Sequence, residues 1–550
     1  MPIRKITCIQ LGGEFPDFCY RMVMPDYGLP VIGTILSEAG YDVTVYIEHV
    51  RPPEWDRLAE SDLICLSCLS AGAGKTYQLA GEIRRRLGIP TVIGGTHATY
   101  LPDSCLEHCD YVVLGEGDET IVELVDTLAR GGDVGQVAGI AYRVGDRLHR
   151  TAPRPGPARF DTIPNFELIE GYRPMSRWDV VRRRKTPVLT VQSSRGCPYS
   201  CTFCIVNTMF PSGYRKRDVE AVIRDLRDKR RYSRNVLFVD NEFSVLRSYT
   251  KKLLQRIAEE RLDLDIVVFA RVEIAKDDEL LSLMRRAGIS YIYQGYESVQ
   301  PQTLAAYNKR QTTDQIIAAI DKLHAYGFGL LGSFVVGADT DTLETIYRTV
   351  DFALERKLAN AYFWPIWGHY PEERTGYRTI TPWWRSIFRG WAYCDGHHVT
   401  HFPLHMPPSK LQRALIDAYE AIYSPKQVIR AMRRGRFTDA RWKLLHRYLW
   451  RDVGKGPKEY VSFLEEIEDG LYDGDGHLCE ERLIERVAKD PRWTFQAGNR
   501  TIRGLGLSPL ELPIAGKQNI TCLPPDLGSL DGADTKARAV GVRAGGHWVQ

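Results

Sequence analysis

The sequence predicts an α/β protein in three parts: a doubly wound parallel-sheet domain, a partial (β/α) barrel and a helical C-terminal domain. Strand-like and helix-like runs alternate over residues 1–145 and again over 187–400, which predicts two parallel sheets covered by helices. A Pro/Arg-rich stretch without periodicity separates the two series, and beyond residue 400 the pattern is helical. A length of 550 residues fits about three domains of roughly 100–200 residues each.

In the first series, strands are expected at Ile6–Leu11, Tyr41–Tyr46, Leu63–Leu69, Thr91–Ile93 and Tyr111–Leu114. Helices are expected at Gly28–Glu38, Lys75–Leu87 and Glu119–Leu128, and the domain is expected to end near residue 145. Residues 146–186 read as a linker that wraps the surface, with Phe160, Ile163, Phe166 and Tyr172 available to dock. From Pro187 the expected strands are Val188–Val191, Val236–Val239, Ile266–Phe269, Tyr291–Gln294, Leu330–Val336 and Ala361–Trp364. Helices such as Asp218–Arg231, Glu279–Ala287 and Asp314–Tyr326 separate them, which makes a (β/α) barrel over 187–400 with its chemistry at the strands' C-terminal ends. Residues 401–510 read as a helical domain, and the Gly/Pro-rich 511–550 as a poorly ordered tail.

Composition removes several classes. With 44% hydrophobic and 26% charged residues the chain is not a disordered one. Its net charge of +4 lies too near balance to make nucleic acid the expected partner. No apolar run of about 18 residues suggests a membrane span. The start, MPIRKITCIQLGGEF, leads straight into a strand and does not read as a signal peptide, so a cytoplasmic location is expected.

Of 12 cysteines, nine are scattered and three are bunched. The bunch is Ser194-Arg195-Gly196-Cys197-Pro198-Tyr199-Ser200-Cys201-Thr202-Phe203-Cys204, a C-x3-C-x2-C spacing directly after a barrel strand. Three thiolates on one tight loop suit three irons of a [4Fe–4S] cluster and leave the fourth iron open to chelate a small molecule. Zinc is the competing metal, but a structural zinc wants four closed ligands and no second Cys or His pair lies at suitable spacing. Packed, metal-free cysteines are the remaining alternative.

This loop, with Phe203 before its last cysteine, resembles the signature of the radical S-adenosylmethionine (SAM) enzymes, and the resemblance spans about residues 185–400. It implies that Cys197, Cys201 and Cys204 ligate the cluster, whose open iron chelates the methionine moiety of SAM. An electron from the cluster then cleaves SAM to a 5′-deoxyadenosyl radical. Strand-end segments match as well: Val239-Asp240-Asn241-Glu242-Phe243, Arg271 within Phe269–Glu273, Gln294-Gly295-Tyr296-Glu297-Ser298, and Gly332-Ser333-Phe334. By that likeness the Asp240-Asn241-Glu242 run meets the methionine ammonium. Glu297 and Ser298 meet the SAM amino acid or ribose, and the strand with Ser333 flanks adenine. For each, a helix cap or turn is the alternative reading.

In the first domain, Ser67-Cys68-Leu69, Gly94-Gly95 and Gly115-Glu116 resemble the tail-binding half of a cobalamin domain, where glycines let backbone approach the ligand closely. The usual Asp-x-His-x-x-Gly after the first strand is missing; that loop reads Leu11-Gly12-Gly13-Glu14-Phe15-Pro16-Asp17, so it offers no histidine to the cobalt. His97 is a weaker candidate ligand than a locally bonded turn histidine. A relic domain that no longer binds cobalamin is the alternative.

Other features carry less. Ala73-Gly74-Lys75-Thr76 lacks the first glycine of a phosphate loop, since Leu69 stands there. Cys65 and Cys68 lie along a strand and cannot pinch one metal. The basic runs Arg182–Lys185 and Arg433–Arg451 read as solvated faces, with RNA or lipid phosphate as alternatives. The segment Trp383-Trp384-Arg385, Phe388-Arg389 and Trp391 reads equally as a membrane-interface or substrate-covering surface and as buried aromatics. Trp364, Trp367, His369 and Tyr370 are expected to line the substrate cavity.

The resemblance therefore implies a cobalamin-dependent radical SAM enzyme that methylates an unactivated carbon of a small molecule, be it natural product, lipid or tetrapyrrole. Its partners are the substrate and an electron donor such as flavodoxin or ferredoxin, with no nucleic acid and at most peripheral membrane contact. The alternative is a radical oxidation or ring closure like that of the anaerobic magnesium-protoporphyrin monomethyl ester cyclase; RNA modification ranks last.

Overall fold

A computed structural model describes residues 3–16, 22–174, 186–367 and 385–489. Lys5–Gln10 (β1), Asp42–Ile47 (β2), Leu63–Ser67 (β3), Thr91–Gly94 (β4) and Tyr111–Val113 (β5) are parallel strands in the order β2-β1-β3-β4-β5. They read as near-continuous apolar runs because both faces are covered. Gly28–Glu38 (α1) and Thr120–Ala129 (α3) bury Leu36, Leu124 and Val125 with Cys8 and Val45 on one face. Ala73–Leu87 (α2) buries Tyr77, Ala80 and Ile83 with Ile9 and Leu66 on the other. Strand order reverses between β1 and β3, so a crevice is expected where the Leu11–Gly13 and Cys68–Ser70 segments leave those strands.

The sheet continues past residue 145. Ile140–Val144 (β6) and Arg147–Arg150 (β7) extend it as an antiparallel hairpin, turned by Gly145-Asp146 with Gly145 at a φ of +57°. A two-residue turn of this kind needs positive φ, which glycine supplies without strain. The linker then wedges between the two sheets. Phe160, Phe166 and Tyr172 are buried as expected, Ile163 is half-buried, and the Glu170 amide donates to Val45 O at 2.8 Å. Arg182–Lys185 lie outside the described residues.

Leu189–Val191 (β8) starts the second sheet, and Ser194–Arg195 (β9) pairs antiparallel with Arg215–Lys216 (β10) just beyond it. Asn235–Phe238 (β11), Asp265–Phe269 (β12), Ile289–Glu297 (β13), Gly329–Val336 (β14) and Asn360–Pro365 (β15) complete a six-stranded parallel sheet in the order β8-β11-β12-β13-β14-β15. Helices Val219–Lys229 (α4), Arg247–Glu260 (α5), Asp278–Arg286 (α6), Thr313–Ala325 (α7) and Leu343–Glu355 (α8) alternate with the strands, as the partial barrel requires. Asp218 caps α4, and capping boxes at Thr312 and Thr342 start α7 and α8. Along β12, β13 and β15 runs a half-buried ladder of rings: Phe269 lies 4.8 Å from Tyr293, and Tyr362 stacks on Tyr293 at 5.5 Å and on Trp364 at 6.0 Å.

Five helices follow: Pro408–Ile422 (α9), Pro425–Arg433 (α10), Phe437–Val453 (α11), Lys455–Glu468 (α12) and Glu480–Lys489 (α13). The expected tail, 511–550, lies outside the described residues. No helix among the described residues is long and apolar enough to cross a membrane.

One buried ion group joins the parts. Arg217 donates to Asp225 (2.8 Å), to the Tyr27 hydroxyl at the head of α1 (2.7 Å) and to the linker carbonyls of Asp161 and Thr162 (3.2 Å each), while Asp225 also pairs with Lys229. The Arg217, Asp225 and Lys229 side chains are fully buried. Removing the shared anion strands two buried cations, at about 3–5 kcal/mol. Asp225→Ala is therefore expected to lower unfolding free energy by about that amount, read from a denaturant midpoint shift; a loss under about 1 kcal/mol would show that the group is solvated rather than buried.

Candidate functional site

The cysteine loop is a lariat closed by the β9–β10 pair. Gly196, at φ +82°, sits where a Cβ would lie 2.4 Å from Gly213 O, so the closure admits only glycine. Cys201 is buried, and Cys197 and Cys204 are half-buried. Burial pushes the Cys204 thiol up to about 11 and raises Cys197, so both are protonated at neutral pH and a metal must displace their protons on binding. Among the described residues no three His, Cys, Asp or Glu side chains gather as the ligands of a single ion. Cysteines of a cluster each take a different iron, so convergence on one point is not what that role requires. Three soft sulfur donors on one rigid loop fit an iron–sulfur cluster.

The β11 end braces this lariat. Asp240 accepts from the Ser193 amide (3.0 Å), the Ser193 hydroxyl (2.7 Å) and the Ser194 hydroxyl, and Asn241 accepts from the Gly196 amide at 3.1 Å. Glu242 accepts from the Ser244 amide and hydroxyl and from the Arg271 amide at 2.8 Å. Burial raises the Asp240 and Glu242 carboxyls, and their bonds to protein groups oppose that rise. Arg271 lies over the Tyr199 ring at 4.0 Å and donates to Glu273 and to Lys309 O. Its neighbour in the loop, Tyr199, is thereby held between the cysteines and β12.

Glu297 ends β13 at φ +63°, just after a register shift, and pairs with Lys309 at 2.7 Å with both side chains buried. Burial alone would lower the Lys309 ammonium; the Glu297 carboxylate outweighs it and raises it. Ser298 follows, its hydroxyl accepting from the Gln300 amide at 3.1 Å, and Ser333 is buried in β14 in register with Gly295. The segment 306–309 was not singled out by the sequence, yet it grips the lariat. Thr202 donates from its amide to Tyr307 O (3.1 Å) and from its hydroxyl to Ala306 O (2.9 Å), and Asn308 donates to Ser200 O (2.9 Å). Phe203 meets the Tyr307 ring edge-on at 5.2 Å.

The first domain presents its strand ends to the lariat. Ser67 is in register with Gly94. Gly95 stands at φ +102° with its missing Cβ 2.9 Å from Cys68 O, and Gly115 at φ +68° has nothing within 4 Å of its missing Cβ. Leu69 is left 48% exposed at this edge, an apolar side chain that a ring system would cover. This glycine-lined edge with an uncovered leucine suits close approach of a large cofactor. Glu116, expected at the corrinoid, is instead engaged by Arg195 (3.0 Å) and Arg215 (2.5 Å), and Asp118 by Arg195 (2.8 Å). Tyr100 adds a bond to the Thr208 hydroxyl at 2.6 Å, just past Cys204. His97 has Ser70 at 3.0 Å and Tyr77 at 2.7 Å on its two ring nitrogens, and burial pushes it down to about 3. It is the locally bonded turn histidine, with no nitrogen left for a metal.

The described part of the segment after β15 takes the buried one of its two sequence readings. Phe388 and Trp391 are buried against the first domain, with the Trp391 ring 4.4 Å from His97, so the aromatics serve packing. Trp383, Trp384, His369 and Tyr370 lie outside the described residues. Trp364 is half-buried and stacks on His397 at 5.7 Å. Beyond it, Asp395 orients the buried His398 through Nδ1 at 3.0 Å, and the His398 ring packs 4.8 Å from Phe15 in the loop that lacks the expected histidine. No local pattern announces this pairing of residues far apart in sequence.

Because the lariat closes only over a glycine, Gly196→Ala is expected to reduce iron and sulfide bound per chain at least tenfold while the far-ultraviolet dichroism is unchanged. Undiminished iron would show that the loop relaxes around the added methyl.

Residues 14–125 match the B12 binding domain and residues 191–353 the radical SAM superfamily. An uncharacterized methyltransferase of Pyrococcus horikoshii is 28% identical over 62% of this chain and 73% of its own length. An anaerobic magnesium-protoporphyrin IX monomethyl ester cyclase of Synechocystis is 27% identical over 73% of this chain and 81% of its own. Among solved structures, the radical SAM methyltransferase TsrM of Kitasatospora setae, with cobalamin and [4Fe-4S] cluster bound, has a TM-score of 0.55 at 20% identity over 66% of this chain and 72% of that one. The cobalamin-dependent radical SAM enzyme OxsB has a TM-score of 0.55 at 16% identity over 92% of this chain and 80% of that one. At these identities the two structures speak to fold. Residues 14–125 and 191–353 thus match the B12 binding and radical SAM domains, on a fold shared with those two structures.

Proposed function

We propose that the chain transfers a methyl group to an unactivated carbon of an apolar small molecule. The observation that carries this reading is that the cysteine lariat and the glycine-lined edge of the first domain are tied together, by Arg195 and Arg215 to Glu116 and Asp118 and by Tyr100 to Thr208. When bound, the cluster with SAM supplies hydrogen abstraction and the corrinoid supplies the methyl group.

Cys197, Cys201 and Cys204 hold the cluster, and Phe203 packs the lariat on Tyr307. Asp240 and Asn241 act as positioning residues, since their oxygens hold the lariat's stem. Glu242 sets the start of the Arg271 turn, while Arg271, Glu297, Ser298 and Ser333 border the SAM side. Ser67, Leu69, Gly94, Gly95 and Gly115 border the corrinoid side; Glu116 ties the two sides together. The ladder of Phe269, Tyr293, Tyr362 and Trp364 supplies an aromatic wall for an apolar substrate. Reduction of the cluster calls for a low-potential donor of the flavodoxin or ferredoxin kind, and an oxygen-poor cytoplasm suits an open iron.

The likeness to the Synechocystis cyclase favours a second reading, oxidative ring closure without methyl transfer. Anaerobic turnover with SAM separates the two. S-adenosylhomocysteine and 5′-deoxyadenosine formed together, dependent on substrate, are expected for methylation; 5′-deoxyadenosine alone assigns ring closure. Cys201→Ala is expected to remove the cluster's visible absorbance and SAM cleavage together, and SAM cleavage that survives it would overturn both readings.

A further inference from the structure

The helical hairpin of α10 and α11 concentrates the chain's charge. Residues 425–451 hold nine Lys or Arg and one acid, Asp439, so this stretch carries +8 in a chain whose total is +4, leaving the remainder at −4. Asp439 is itself buried and paired with Arg436. Among the described residues no ion pair engages Lys426, Arg433, Arg441 or Arg451, all of which are exposed.

The same hairpin exposes apolar bulk. Nine large hydrophobic side chains are exposed among the described residues, and five of them are here: Ile429, Met432, Phe437 (67%), Leu444 (59%) and Tyr448. Phe437, Arg441, Leu444, Tyr448 and Arg451 follow at steps of four, three, four and three, one face of α11. Ile429, Met432 and Arg433 share a face of α10 in the same way. Beside them a recess is lined by Lys357, Arg430, Arg434, Arg436, Asp439 and Lys443. Burial pulls the Lys443 ammonium down to about 8, and an anion in the recess would raise it again.

We propose that this hairpin docks the enzyme on an anionic bilayer surface, with the exposed apolar residues entering the acyl boundary and the arginines meeting lipid phosphates. Charge complementarity selects the occupant together with the aliphatic residues. Solvated basic faces do not expose Ile429, Met432 and Leu444, and these aliphatic side chains, unlike the Phe437 and Tyr448 rings, offer a nucleic-acid base nothing to stack on but enter an acyl boundary readily. Docking is separate from the cysteine lariat in space. Asp439 accepts from the Tyr291 hydroxyl at 3.0 Å near the start of β13, whereas the cysteine lariat follows the end of β8. The face therefore belongs to the opposite end of the parallel sheet.

Flotation of the full chain with phosphatidylcholine vesicles, with and without phosphatidylglycerol, tests the proposal. Binding is expected only with phosphatidylglycerol. Arg433→Gln with Arg441→Gln is expected to weaken it about 25-fold, about fivefold per neutralised arginine. Phe437→Ser with Leu444→Ser is expected to weaken it at unchanged charge. All four side chains are exposed, so unchanged thermal melting certifies the fold. Failure to float with anionic vesicles, or equal flotation of both double variants and the parent, overturns the proposal. So does binding of an RNA oligonucleotide, or a dimer, that the charge variant abolishes while vesicles are ignored. Since the vesicle assay reads no turnover, its failure leaves the methyl-transfer reading untouched.

Discussion

Three arginines on the stem of the cysteine lariat organise the molecule. Arg195 and Arg215 stand opposite each other in the β9–β10 pair, and Arg217 follows directly. Each is largely removed from water, a state that is unfavourable unless the guanidinium finds acceptors. The acceptors belong to other parts of the chain: Glu116 and Asp118 in the first domain, Pro157, Asp161 and Thr162 in the linker, Tyr27 at α1 and Asp225 in α4. No single domain can satisfy them alone. The stem is therefore stable only once the first sheet, the linker and the second sheet have assembled, and the loop that it closes is set in place by that assembly.

This coupling explains why so many site carboxylates point at the protein's own backbone and hydroxyls. Asp240 and Glu242 are buried acids that exposure to a ligand alone would leave poorly solvated; Ser193, Ser194, Ser244 and the Arg271 amide satisfy them beforehand. Lys309 does the same for Glu297 across the β13 bulge. The effect is preorganisation. Thiols and flanking strand ends are held by bonds that exist before any cofactor arrives, so little ordering remains to oppose its binding.

What could be read from the sequence is what is local. Each of the main parallel strands was expected within a few residues of its place, because a buried parallel strand writes a continuous apolar run and its helix a 3.6-residue period. The C-x3-C-x2-C spacing is local too. The hairpin 140–150 was missed at its turn, since Gly145-Asp146 looked like the start of a linker when it was a two-residue reversal inside the sheet. Glu116 looked like part of a glycine turn, but its partners lie 79 and 99 residues away. The grip of Tyr307 and Asn308 on the lariat, and the contact of His398 with Phe15, likewise join segments over 100 and 380 residues apart. No periodicity or spacing encodes such pairs; only the closed fold does.

Charge shows the same limit of averages. A net +4 over 550 residues reads as neutrality, and neutrality argues against a charged partner. The inference fails when charge is segregated, because a partner meets a surface within about 8 Å at physiological salt and not the sum over the chain. Here the arginines divide into two populations with opposite physics. Those of the lariat stem are buried, matched one by one to acids and carbonyls, and serve assembly. Of those in the α10–α11 hairpin, Arg433, Arg441 and Arg451 are exposed beside exposed aliphatic side chains, and no ion pair among the described residues engages them. A folded domain gains nothing internally from leaving apolar bulk and unpaired cations side by side. Their coincidence on the α10–α11 hairpin suits contact with a surface that is both apolar and anionic.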